Sequence, residues 1–156
     1  MKAFVKTGDR PGEANVEDVP FVGPRAGEVS HRVASYGICG SDVHTFRSDA
    51  GFEWIRPPIT LGHEFSGIVE SVGPGVTQVS QGDRVVAVAV QGCGDCDACR
   101  SGSTQLCPRR VAVGLARDGG MAEYAVMPEQ HLVPVPEGLD LAVAAWESLW
   151  PLPYTL

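Results

Sequence analysis

Residues 62–90 read GHEFSGIVESVGPGVTQVSQGDRVVAVAV. Two apolar runs in this stretch, Ser66–Val72 and Arg84–Ala89, have the length and composition of β-strands. Gly73-Pro74-Gly75 and Gln81-Gly82-Asp83 lie between them and mark turns. Outward from this stretch the same alternation continues. Lys2–Lys6, Asn15–Val19, Glu28–Tyr36, Glu123–Met127 and His131–Val135 read as further strands, with turn signals at 9–12, 23–24 and 136–138. Many short strands separated by turns predict a mainly β fold of barrel type with small helical insertions. Two short helices are expected, one capped by Ser41 and running toward Arg47, the other capped by Asp140 with Leu141–Trp146 as its body. The two prolines of the tail, residues 150–156, stop that second helix.

With 156 residues, 44% hydrophobic and 20% charged, the composition is that of a globular domain and excludes a disordered or fibrous chain. Twelve Lys and Arg against 19 Asp and Glu give a net charge of −7. Nucleic acid and anionic membranes are therefore not expected partners, because both require a positive face. The longest unbroken apolar run, Val85–Val90, is six residues, far short of the roughly 20 that cross a bilayer. The amino terminus lacks the apolar stretch of a secretory signal, so a cytoplasmic setting with reduced thiols is expected.

Five cysteines in a reduced compartment call for a chemical reason. Four of them, Cys93, Cys96, Cys99 and Cys107, form a C-x2-C-x2-C-x7-C run within 15 residues. Four thiolates can close the tetrahedral shell of a structural zinc. The lobe at 92–108 offers almost no apolar side chains beyond its cysteines, so something other than a core must hold it. Two disulfides, which an oxidising compartment would favour, or reactive free thiols are the alternative.

Two further stretches carry reactive groups: Gly37-Ile38-Cys39-Gly40-Ser41-Asp42-Val43-His44 and Gly62-His63-Glu64. A lone cysteine is commonly a small buried apolar residue, and a lone histidine commonly a satisfied or exposed one. Brought together, Cys39, His63 and Glu64 would supply a thiolate, an imidazole and a carboxylate, an open three-ligand zinc site with one position free. Such an ion acts as a Lewis acid and favours the alkoxide form of a bound alcohol. Ser41 and His44 have the chemistry to move the released proton, and Asp42 could fix the tautomer of His63 through its second ring nitrogen.

These residues, with GHEFSGIVESVG at 62–73, GDRV at 82–85, GGMAEY at 119–124 and VPEGL at 135–139, resemble the amino-terminal, GroES-like catalytic domain of the zinc-dependent medium-chain alcohol and polyol dehydrogenases. The resemblance implies a GroES-like β-barrel over residues 1–149, with the zinc lobe at 92–108 and a separate tail at 150–156. It implies two zinc ions per chain. Cys39 and His63 would hold the catalytic one, with Glu64 a ligand or close alternate ligand, and Cys93, Cys96, Cys99 and Cys107 the structural one. Ser41 would bind the substrate hydroxyl, His44 would pass its proton on, and Asp42 would orient His63. Glu147 falls where polyol-type members place a further acidic residue at the metal. Those members follow it with proline and this chain with Ser148, so an exposed carboxylate on the last helix stays the alternative.

Members of that family are about twice this length, and no dinucleotide fingerprint is present. Gly73-Pro74-Gly75 lacks the third glycine, and residues 114–120 lack the Lys-Ser/Thr of a phosphate loop. The expectation is thus a catalytic domain without a Rossmann domain, as a fragment, a truncated product or one part of a split enzyme. Its substrate would be a small alcohol, polyol or carbonyl compound. NAD or NADP would be used only if a nucleotide-binding domain is supplied elsewhere, and a homo-oligomer or a separate nucleotide-binding chain are the candidate partners. A non-redox zinc-stabilised binding or assembly module is the second reading, and hydrolysis by zinc-bound water the third. Phe46, Phe52 and Trp54 are candidates either for the cleft wall or for the core.

Overall fold

The computed structural model describes residues 1–147, so the tail and Ser148 lie outside the described residues. The first strand, β1 (Lys2–Lys6), lies between β2 (Ala14–Asp18) and β4 (Ile59–Thr60) in an antiparallel three-stranded sheet. A second sheet has the order β10-β6-β5-β3-β9, from β3 (Glu28–Tyr36), β5 (Phe65–Val72), β6 (Arg84–Ala87), β9 (Tyr124–Pro128) and β10 (Leu132–Pro134). All of its pairings are antiparallel. A bridge between Ala3 and Ala122 and the bond from Phe4 N to Met121 O tie β1 to the segment that leads into β9. The mainly β expectation is met, with each predicted strand present to within about two residues at either end.

The single strand expected over Arg84–Ala89 is shorter than that. It breaks after Ala87, where Val88 N donates to His131 O. It then re-forms as β7 (Val90–Gln91), which pairs with β8 (Val111–Ala112) in a separate two-stranded ribbon. One hydrophobic stretch therefore serves two sheets, and β7 leads directly into the cysteine lobe.

Two apolar clusters fill the interior. Val29, Phe65, Val69, Val85 and Met127 are fully buried within the larger one, under the five-stranded sheet. Ile55, Ile59, Leu61 and Met121 form the smaller one, with Phe4, Phe52 and Leu115 packed on it. Phe52 thus packs on the core, while Phe46 and Trp54 stay partly exposed.

Helix α1 (Gly40–Arg47) starts two residues earlier than expected, with Cys39 and not Ser41 at its N-cap. The reason is Asp42, whose Oδ2 accepts the Cys39 N–H at 2.9 Å and ties the first turn back onto the cysteine. A short helix, α2 (Asp97–Arg100), forms inside the lobe. Helix α3 (Leu141–Glu147) begins as expected after Asp140, whose Oδ1 accepts from Ala142 N at 2.7 Å.

Candidate metal centres

The sheet register brings the two reactive stretches together. Strands β3 and β5 are neighbours, and their last aligned pair is Tyr36 with Phe65. Gly37–Cys39 leaves one strand at the end where His63-Glu64 enters the other, and Gly37 N donates to Glu64 O at 2.7 Å. Gly62 makes the entry tight. Its φ is +90°, and a Cβ there would stand 2.8 Å from Met121 N, so only glycine fits.

The result is a cluster in which one donor atom each from Cys39, His63 and Glu64 lies within 4.8 Å of the others. His63 and Glu64 are buried and Cys39 is half-buried. His63 Nε2 stands 4.0 Å from Glu64 Oε1 and 3.5 Å from Ser41 Oγ. Its other nitrogen, Nδ1, is buried without a hydrogen-bond partner and faces Asp42 Oδ1 at 3.6 Å. Burial opposes a charge on His63, but the Asp42 carboxylate and the Cys39 thiol beside it more than offset this and raise its pKa to about 9. Asp42 is itself buried. Through Oδ2 it holds Cys39 N, and through Oδ1 it accepts from Gly62 N at 3.3 Å, so one carboxylate links both segments of the cluster. A thiol, an imidazole and a carboxylate converging on one point, with the second imidazole nitrogen turned toward a carboxylate, fit a zinc ion that leaves one position open.

His44 lies one turn beyond Ser41 on α1. Its Nδ1 is 2.8 Å from Asp49 Oδ2, and its ring stacks on Phe52 with centroids 5.3 Å apart. Asp49 escaped sequence reasoning. Its position five residues after His44, just past the left-handed Ser48 that ends the helix, was the available signal.

The four cysteines of the lobe also converge, with their sulfurs all within 4.8 Å. Cys93 and Cys99 are 3.9 Å apart, and Cys96 and Cys107 are 3.7 Å apart. These separations are far too long for disulfides. They match the sulfur–sulfur edge of about 3.8 Å that a tetrahedron with Zn–S bonds near 2.3 Å requires. Backbone amides of Cys93 and Arg109 point at Cys107 Sγ from 3.4 and 3.3 Å. Led by the Cys93 amide, they lower the Cys107 pKa to about 6. Next to it the Asp95 carboxylate pushes Cys93 up to about 12. Cys96 caps α2, its sulfur accepting from Cys99 N at 3.5 Å, which explains why a helix of four residues forms here at all. Glu147 ends α3, and its side chain lies outside the described residues, so the structure does not place it at either centre.

Residues 25–137 match the family model of the alcohol dehydrogenase GroES-like domain. The chain belongs to this family, and its fold is the mainly β, GroES-like one without a Rossmann domain among its described residues. It is 39% identical to a sorbitol dehydrogenase of Halalkalibacterium halodurans over 93% of this chain and 42% of that relative. It is likewise 39% identical to an L-threonine 3-dehydrogenase of Stenotrophomonas maltophilia, over 94% of this chain and 43% of the relative. Among solved structures, an NAD-dependent alcohol dehydrogenase superposes with a TM-score of 0.86 at 37% identity, covering 93% of this chain and 42% of that one. The galactitol-1-phosphate dehydrogenase of Escherichia coli superposes with a TM-score of 0.82 at 33% identity, covering 94% and 41%. The chain therefore spans little more than two fifths of the length of these relatives. No helix among the described residues is long and apolar enough to cross a membrane.

Proposed function

We propose that residues 1–149 are the zinc-binding catalytic domain of an alcohol- or polyol-dehydrogenase-like oxidoreductase, with two zinc ions per chain. The observation that carries this reading is the convergence of Cys39, His63 and Glu64 within 4.8 Å, with Ser41 against His63 and Asp42 behind it. Cys93, Cys96, Cys99 and Cys107 hold the structural ion of the lobe at 92–108. Cys39, His63 and Glu64 hold the catalytic one, and Glu147 is the further acidic residue that family resemblance would add. A zinc ion bound there supplies the Lewis acidity that favours the alkoxide over the alcohol.

The chain's own residues do the rest. Asp42 keeps the His63 proton on Nδ1, so that Nε2 presents its lone pair to the ion. Ser41 takes the hydroxyl proton of a small alcohol or polyol as it gives up its own Oγ proton to His44, and the exchange runs in reverse for a carbonyl compound. His44, on the same helix face three residues along, passes that proton toward solvent. The hydride acceptor is NAD or NADP, held by a nucleotide-binding domain elsewhere in the protein or by a partner chain. Solved relatives described as bound to NADP and complexed with NADH support this choice. The exposed apolar residues Tyr36 and Ile38, which immediately precede Cys39, suit such a contact or a homo-oligomer. A reduced cytoplasmic setting keeps all five thiols available.

Elemental analysis of the purified chain tests the reading. Close to two zinc ions per chain are expected, and Cys39→Ala should leave one. A wild-type count of one, or a Cys39→Ala count unchanged at two, would sink it. The isolated chain should not turn over alcohols until a nucleotide-binding polypeptide is added.

A further inference from the structure

We propose that Gly37 is a positioning residue for the three-donor site: its missing side chain is the seat of the Glu64 carboxylate. This rests on the reading that Cys39, His63 and Glu64 share an ion. The observation is steric. A Cβ built on Gly37 overlaps Glu64 Oε2 and crowds Glu64 Cβ at 3.3 Å and Cδ at 3.4 Å, and nothing else stands as near. The backbone there does not require glycine, because Gly37 lies outside the left-handed region. What a side chain would meet is Glu64 alone, and hardest its carboxylate oxygen. With Oε2 lodged against Gly37, the other oxygen, Oε1, is turned toward His63 Nε2 at 4.0 Å. The bond from Gly37 N to Glu64 O, at 2.7 Å, fixes the two backbones at this separation, so the carboxylate cannot be accommodated by moving the strands apart.

Gly40, on the other side of Cys39, supplies a matched control. It has open space around its missing Cβ and also lies outside the left-handed region. If Gly37 acts only as a flexible link flanking the cysteine, alanine at the two positions should behave alike. If Gly37 is the seat, only Gly37→Ala should disturb the metal.

The test uses the full chain carrying zinc in its cysteine lobe, titrated with Co²⁺ as the probe. The readouts are the dissociation constant of the second ion and its sulfur-to-cobalt absorption band. Gly37→Ala is expected to weaken the second ion by about 10- to 100-fold, the range for losing the support of a ligand, whereas Gly40→Ala leaves it unchanged. In a Glu64→Ala background, Gly37→Ala should have no further effect, because the seat is then empty. Glu64→Asp, too short to reach the seat, should weaken binding with Gly37 intact. Equal losses with and without the Glu64 side chain would overturn the proposal, as would unchanged binding in Gly37→Ala. Should Gly37→Ala alone fail to fold, the double variant with Glu64→Ala should fold; its failure would also overturn the proposal. A different pattern marks failure of the underlying reading: Cys39→Ala or Glu64→Ala then binds the second Co²⁺ as wild type does.

Discussion

The cysteine lobe and the three-donor site both gather metal-binding side chains, yet they are assembled by opposite means. The lobe takes its four sulfurs from residues 93–107, one continuous stretch with a single buried member, Cys107. Its two short helices bury no residue, and amide-to-sulfur hydrogen bonds tie its cysteines together. The three-donor site draws on two segments separated by the whole of residues 40–62. They meet because β3 and β5 pair in one register over a filled core. The lobe should therefore depend on its ion for shape, while the three-donor site should keep its shape without one.

The largest expected effect is in the lobe. Cys107→Ser removes the buried sulfur on which two backbone amides converge, and should cost the chain one zinc and the order of residues 92–108. Limited proteolysis should then cut within that segment, while the far-ultraviolet signal of the sheets persists. If instead the whole domain unfolds, the lobe is not the separable unit described, and the contrast between the two regions fails.

His31 comes next. It sits on β3 with its ring stacked on Phe65 at 5.5 Å, fully buried, and both ring nitrogens lack partners. Burial lowers its pKa to about 4, against an unfolded value near 6.5. Between those values the unfolded chain binds the extra proton, so stability is fully present above about pH 6.5 and lost as the pH falls toward 4. The linkage is of order 3 kcal/mol. Phe65 directly follows Glu64, so this loss undermines the support of the three-donor site rather than the lobe. Denaturant titrations at pH 7 and pH 4.5 should show a smaller acid loss for His31→Leu than for wild type. An identical loss would show that His31 is not the acid-sensitive group.

The same contrast governs how much could be read from the chain alone. The gathering of the lobe's four sulfurs was legible, because cysteines that lie so close in sequence carry the signal in their spacing, whereas α2 within it was not. The strands were legible from turn residues and apolar runs. What failed were features set by partners distant in sequence. Arg84–Ala89 looked like one strand because apolar character does not say which sheet a residue joins; the pairing of Ala87 with Leu132 and of Val90 with Ala112 decides that. Ser41 looked like the helix cap because it has a capping side chain, but the buried Asp42 took the first turn back to Cys39. The joining of Cys39 to His63 could be expected only from resemblance, since the register of Tyr36 with Phe65 is not written locally.

Asp42 offers a finer probe of the second region. It accepts from Cys39 N and Gly62 N and faces His63 Nδ1, so Asp42→Asn keeps its size but loses an oxygen and the charge. The second zinc should bind about 10- to 100-fold more weakly, with the lobe's ion unaffected. Competition with a chromogenic chelator reads both equivalents in one titration. Equal weakening of both ions would mean that Asp42 acts on the fold as a whole.

The smallest effect belongs to His44. Its contact with Asp49 joins two substantially exposed groups, so the pair should contribute under about 1 kcal/mol to stability. Its consequence is directional instead. A carboxylate only accepts, so Asp49 at 2.8 Å requires a proton on His44 Nδ1, and the neutral ring must leave Nε2 free to take one. The stacked Phe52 holds the ring plane in this orientation. Asp49→Asn offers Nδ1 an amide that can donate or accept, so the constraint disappears while the shape is kept. Nitrogen-15 shifts of the His44 ring should show the Nδ1-protonated tautomer dominant in wild type and a mixture in the variant, at unchanged melting temperature. A wild-type ring protonated mainly on Nε2 would mean that Asp49 does not orient it, and His44 would then have no free acceptor where the proposed relay needs one.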